Sequence, residues 1–133
     1  MGWVFEFTVN GTNIKVILYH RLMQFLIIGR DGKDEKALER RLAARPAHLE
    51  LGEELRQAGN MWYGAAIWDD QNTMIGSMLV MDFPSEKELH EWLEHEPYVT
   101  GKVWEQLEVQ KCNVRDPWQF NRPKDWFEQR NQQ

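Results

Sequence analysis

The chain has 133 residues, with 16 Lys and Arg against 21 Asp and Glu, four His, one Cys and seven Trp. That length suits one domain with a core of its own, and a net charge of −5 is the wrong balance for binding nucleic acid or an anionic membrane, which needs a basic footprint. The single Cys112 can form neither an intrachain disulfide nor a zinc knuckle, so a reducing, cytoplasmic setting is expected.

No membrane span is expected: the longest apolar run, 25–28, is far short of the roughly 20 residues a bilayer requires. The first residues lack the basic and apolar regions of a signal peptide. Residues 1–22 and 117–133 each carry one net positive charge, so 23–116 holds −7 against the total of −5. The acidic, well-patterned part is the middle, and it opens on its own methionine, Met23.

In chain order, residues 3–9 and 13–19 alternate around Asn10-Gly11, a hairpin signature with a type I′ turn. Two readings of 1–22 stand: sequence translated from an early start codon, or an ordered edge ribbon. Residues 23–29 form a short apolar run closed by Gly29, which reads as a buried strand. Asp31-Gly32 turns the chain, Asp34 is a candidate N-cap, and Ala37, Leu38, Arg41 and Leu42 follow at helical spacing. Arg45-Pro46 predicts a break or kink, because proline clashes with a continuing helix. A second helix is expected over 46–58, with Ala47, Leu51, Leu55 and Ala58 as its apolar stripe and Gly59 as its stop.

Residues 61–68 read as a strand with Trp62, Gly64, Ala66 and Trp68 on one face. After the polar turn 69–72, residues 74–83 form its hairpin partner. Ser85 and Glu88 make a capping box for a helix that buries Leu89, Trp92 and Leu93 and ends before Pro97. A turn over 98–101 leads to a last strand, 103–114. The order is β-α-β-β-α-β, an α+β ferredoxin-like arrangement with an antiparallel sheet and helices on one face. The other sheet face carries Trp and Met and needs a cover, so a homodimer is expected. The tail, 117–133, holds Trp118, Phe120, Trp126 and Phe127, and reads as an extended arm that docks its aromatic rings.

Four histidines are candidates for proton chemistry, because histidine titrates near neutrality. His20 lies in the N-terminal segment. His90 and His95 follow Glu86 and Glu91 by four residues, an ordinary surface pairing. His48 sits in the first turn after the proline, one position off the expected apolar stripe, with Arg45 before it and the bare Gly52 on its face. Glu96 closes the later helix where the chain turns to the sheet, and Tyr98 follows with a phenol that can hold a ligand. A backbone-bonded His48 and a simple helix stop at Glu96-Pro97-Tyr98 compete with the functional reading. No Gly-rich phosphate loop, His-x-x-x-His metal pair or nucleophile elbow is present.

The segments Met23-Gln-Phe-Leu-Ile-Ile, Arg45-Pro-Ala-His-Leu49, Gly59, Gly64, Ser85, Glu96-Pro-Tyr98 and Gly101 resemble the YciI-like (YCII-related) family over about 23–114. The resemblance implies a dimeric α+β barrel and a cleft with a His and an acid thought to act as an acid/base pair. These fall on His48 and Glu96. The family usually has Asp at the acid position, and Glu96 adds a methylene; it often has Gly-Gly-Pro or Gly-Pro where Gly64-Ala65-Ala66 stands. Some relatives act as muconolactone isomerases or dehydrochlorinases. The expectation is thus a small lyase or isomerase acting on a ring-derived acid or enol without cofactor or metal. His48 would be its acid/base, Glu96 would orient it, and Arg45, Tyr98, Trp62 and Trp68 would bind substrate. A non-catalytic dimeric module that binds a small ligand or a protein partner in the same cleft is the alternative.

Overall fold

The computed structural model describes residues 2–19 and 23–115, so the aromatic tail lies outside the described residues. Strands β1 (Gly2–Val9) and β2 (Thr12–Tyr19) pair antiparallel as a two-stranded hairpin. Asn10 and Gly11 both have positive φ, 49° and 80°, as a type I′ turn demands.

The remaining elements are β3 (Met23–Asp31), α1 (Ala37–Ala58), β4 (Met61–Trp68), β5 (Met74–Phe83), α2 (Glu86–His95), α3 (Pro97–Thr100) and β6 (Trp104–Cys112). The four strands β3 to β6 form one sheet in the order β4-β5-β3-β6, antiparallel at every neighbour. Strand β5 thus splits the β3-α1-β4 unit, and the fold is the ferredoxin-like α+β arrangement.

Helix α1 corrects two expectations. It runs unbroken through Pro46. Proline removes its own N–H and crowds the carbonyl four residues back, but the flanking positions 42, 43 and 45 are exposed, so that carbonyl can turn to water. The inward stripe is also not the one expected. Ala47 and Ala58 are exposed, while Ala37, Arg41, Ala44, His48, Leu51 and Leu55 turn inward at alternating steps of four and three. Two charged or titratable residues sit on that stripe and mask its period in the sequence. The first turn begins at Ala37 rather than after Asp34, whose carboxylate accepts the Lys36 N–H and binds Arg40. Gly59, at φ 88°, stops the helix in the left-handed region, with the Asn60 N–H donating to the Leu55 carbonyl at 2.8 Å.

The core lies between the sheet and the helices. Phe25 and Ile27 of β3 and Leu79, Met81 and Phe83 of β5 face Leu89, Trp92 and Leu93 of α2. Ser85 caps α2 by accepting the Glu88 N–H, and its hydroxyl donates to the Glu88 carboxylate. The opposite sheet face carries Leu26, Ile28, Met78 and Val80, with Tyr63, Ala65 and Ile67 alongside by register. It is apolar, as expected; shifts of register in β4 after Met61 and after Ile67 take Trp62 and Trp68 out of simple alternation with Gly64 and Ala66.

Gly29 marks the tightest approach in the sheet, because a Cβ there would overlap the Trp104 indole ring. Gly29→Ala is expected to destabilise the fold by about 1–3 kcal/mol, the usual cost of overpacking, read as a lowered midpoint in thermal or urea unfolding.

Candidate functional site

Arg41 and His48 lie two turns apart on the inward face of α1. Below Arg41, Asp31 ends β3 and Ser77 lies on the inner face of β5. Arg41 Nη1 donates to both Asp31 oxygens at 2.9 and 3.0 Å, and Nη2 donates to the Gly76 carbonyl at 2.9 Å and to Ser77 Oγ at 2.8 Å. Both side chains of this ion pair are 3% exposed. Burial raises the Asp31 carboxyl above its ordinary value, with the Arg41 guanidinium pulling the other way. Removing one partner of such a pair leaves a buried charge uncompensated, so Asp31 and Arg41 are bound to each other's presence.

The guanidinium also lies over the Tyr98 ring, 4.7 Å from its centroid. His48 stacks on Tyr98 with ring centroids 3.8 Å apart and planes 13° from parallel. Trp104 meets both rings edge-on and its Nε1–H donates to Ser77 Oγ at 3.2 Å. Burial raises the Tyr98 phenol above its ordinary value of 10.0, opposed by Arg41 and Arg45. The phenol therefore stays neutral throughout the physiological range.

Glu96 joins the two helices α2 and α3. Pro97 cannot continue α2, and Glu96 becomes the N-cap of the one-turn α3. Its Oε1 accepts the Tyr98 N–H at 3.1 Å and lies 2.5 Å from His48 Nδ1. Glu96 is buried, its side chain 2% exposed, while that of His48 is 12% exposed. One Glu96 oxygen thus caps a helix and reaches the imidazole. A carboxylate held at Nδ1 fixes the tautomer with hydrogen on Nδ1, leaving the Nε2 lone pair for other work.

A cavity of about 280 Å³ opens beside this pair, lined by Arg41, Arg45, His48, Leu49, Met61, Gly64, Ala65, Ala66, Met74, Ser77, Met78, Leu79 and Tyr98. Arg45 is exposed and stands at its rim. Gly64-Ala65-Ala66 gives one wall small side chains. Gly52, expected to leave space beside His48, instead seats Met61, whose Sδ would lie 3.2 Å from a Cβ there.

The structure brings His48, Glu96, Arg45 and Tyr98 together and leaves two expected residues out. Trp62 borders a separate groove of about 990 Å³ with Met23, Gln24 and Asp82, its Nε1–H donating to the Gly59 carbonyl. Trp68 is 56% exposed and is not among the residues lining the His48 cavity. The cause is again the two register shifts in β4. Sequence reasoning passed over Asp31, Arg41, Ser77 and Trp104. Arg41 had one visible signal, a charge in phase with Ala37 and Ala44. His90 is exposed, and His95 bonds its own helix, through the Glu91 carbonyl.

Comparison with known proteins gives a consistent picture. The sequence model of the YCII-related domain matches residues 23–113. Protein YciI of Escherichia coli O6:H1 is 31% identical over 93 residues, covering 65% of this chain and 93% of that protein. Protein YciI of Shigella flexneri matches to the same extent. Among solved structures, the 5-chloro-2-hydroxyhydroquinone dehydrochlorinase of Burkholderia phenoliruptrix, in complex with 2,5-dihydroxybenzoquinone, superposes with a TM-score of 0.59 at 26% identity, covering 68% of this chain and 94% of that one.

The Tyr98 environment sets an alkaline pH dependence. The folded phenol holds its proton above pH 10.0, where the unfolded one releases it, so the folded state binds more protons and stability falls as pH rises. Tyr98's proton-linked contribution is complete below 10.0 and lost as pH passes through the raised value. Thermal melts from pH 9 upward are expected to show a steeper loss for the wild type than for Tyr98→Phe.

Proposed function

This chain belongs to the YCII-related family, and on that premise we propose that it is a small lyase or isomerase that moves a proton on an enolic or ring-derived organic acid. The observation that carries the reading is the His48–Glu96 pair at the wall of a concave cavity. Its support from likeness is the dehydrochlorinase, whose bound ligand is a hydroxyquinone.

In this mechanism His48 is neutral, with its Nδ1–H donated to Glu96. Nε2 takes a proton from a carbon next to a substrate carbonyl, and the C–H electron pair moves into that carbonyl to form an enolate. The new imidazolium is held by the buried Glu96 carboxylate, an electrostatic gain that appears as the charge develops. In an isomerase the imidazolium returns the proton to another carbon of the enolate. In a lyase the enolate electrons expel a leaving group such as chloride, and the proton goes to water. Imidazole suits both directions near neutral pH. Arg45 holds a substrate carboxylate or anionic oxygen with its planar fork, and Tyr98 keeps the imidazole in plane by stacking. The chemistry asks for no cofactor.

The working unit in this reading is a homodimer, formed across the apolar sheet face that carries Leu26, Ile28, Met78 and Tyr63 and has no helix over it among the described residues.

The test is proton exchange. A panel of small lactones and chlorinated hydroxyhydroquinones, incubated with the protein in D₂O, should show deuterium incorporation or chloride release by NMR. His48→Ala is expected to lower that rate by about 10²–10⁴ while the oligomer, measured by light scattering, is unchanged. Loss of folding in His48→Ala would favour a structural role for the pair, and ligand binding without exchange in the wild type would favour a non-catalytic module.

A further inference from the structure

Ser77 is not part of the acid/base pair, and its surroundings define what its hydroxyl can do. It is 3% exposed on the inner face of β5 and lines the His48 cavity. Its cross-strand neighbours are Gly29 and Ala66, which have little side chain to cover it.

A serine hydroxyl has two acceptor lone pairs and one donor hydrogen. Two groups point at Ser77 Oγ, Arg41 Nη2 at 2.8 Å and Trp104 Nε1 at 3.2 Å. Guanidinium and indole N–H groups only donate, so the direction of both bonds is fixed by chemistry. Both lone pairs are taken, and the hydroxyl hydrogen must point elsewhere. Among the described residues no acceptor receives it. The donation from a guanidinium also polarises the O–H and strengthens it as a donor.

The rest of the cavity has the same character. Its lining contains no carboxylate or amide side chain; its polar members are Arg41, Arg45, His48, Ser77 and Tyr98. With the Glu96 carboxylate turned to Nδ1 and to the Tyr98 N–H, the cavity offers, beside the His48 Nε2 lone pair, donors and positive charge, and asks a ligand for oxygen acceptors.

We infer that Ser77 is a substrate-binding residue whose hydroxyl, held by Arg41 and Trp104, donates a hydrogen bond to an enolate, phenolate or quinone oxygen of the ligand. This rests on the reading of the cavity as the substrate site. Arg45 at the rim and Ser77 at the floor then provide two separated contacts, which selects ligands with two oxygens, at least one of them anionic. Arg41, whose charge is already engaged by Asp31, acts on the ligand through Ser77 and is a positioning residue.

The probe is 2,5-dihydroxybenzoquinone, titrated calorimetrically into the full chain as wild type, Ser77→Ala, Ser77→Thr and His48→Ala. A hydrogen bond to a charged oxygen is worth about ten- to hundredfold in affinity. Ser77→Ala is expected to weaken binding by that factor, and Ser77→Thr, which keeps the hydroxyl, to recover most of it. The infrared stretch of the bound quinone carbonyl should rise in frequency in Ser77→Ala, a signature that a merely structural serine would not move. If Ser77→Ala does not fold, Ser77→Cys serves instead, because a thiol keeps a side chain at the site but is a weak donor. Equal affinity and an unshifted carbonyl in the variant overturn the inference. If His48→Ala still loses proton exchange on the substrate panel, that result leaves the acid/base reading intact. No binding by the wild type overturns the inference together with the hydroxyquinone-like substrate class.

Discussion

One buried cation organises this fold's interior. Arg41 reaches from α1 to the end of β3, to the backbone of β5 and over the ring of Tyr98 at α3. A guanidinium taken out of water is costly unless its donors are met with good geometry, and here Asp31 supplies the charge while Gly76 and Ser77 supply further oxygens. Meeting its two Nη groups, while Nε stays buried without a partner among the described residues, fixes the distance between the helix and two strands. It also holds Tyr98, whose ring meets both the guanidinium and the imidazole of His48.

Glu96 is the second constraint, and it is a product of chain direction. Proline ends α2, α3 follows at once, and the residue between them must satisfy the orphan N–H groups of a new first turn. An acidic side chain does this well, and the turn places it against the inward face of α1. A capping requirement and the contact with His48 therefore fall on the same carboxylate. Its one oxygen Oε1 does both jobs.

Much of this was legible in the sequence, and the failures share a cause. The element order, the hairpin turns, the Ser85 cap and the Gly59 stop are local signals, each carried by one or two residues whose backbone or hydrogen-bonding preferences act where they stand. The helix through Pro46 was not legible, because a single proline costs one bond and tertiary packing across 22 residues outweighs it. The true stripe of α1 was hidden because Arg41 and His48 occupy inward positions, so a search for apolar periodicity selected a neighbouring phase. Trp62 and Trp68 were placed by strict alternation, which two register shifts in β4 break. His48, Glu96, Arg45 and Tyr98 were visible as residue types at turns and through the family resemblance. Asp31, Arg41, Ser77 and Trp104 come from four separate elements, and only the folded topology brings them together.

The central claim is that Glu96 holds His48 in one tautomer and leaves Nε2 as the proton-transferring atom. Nitrogen-15 NMR of histidine-labelled protein at a pH where His48 is neutral tests it most directly, with the His48 signals assigned by their loss in His48→Gln. The account predicts a protonated Nδ1 and an Nε2 with the shift of an unprotonated ring nitrogen, a pattern that Glu96→Gln disturbs. A proton resident on Nε2, or rapid averaging between the two nitrogens in the wild type, would contradict it.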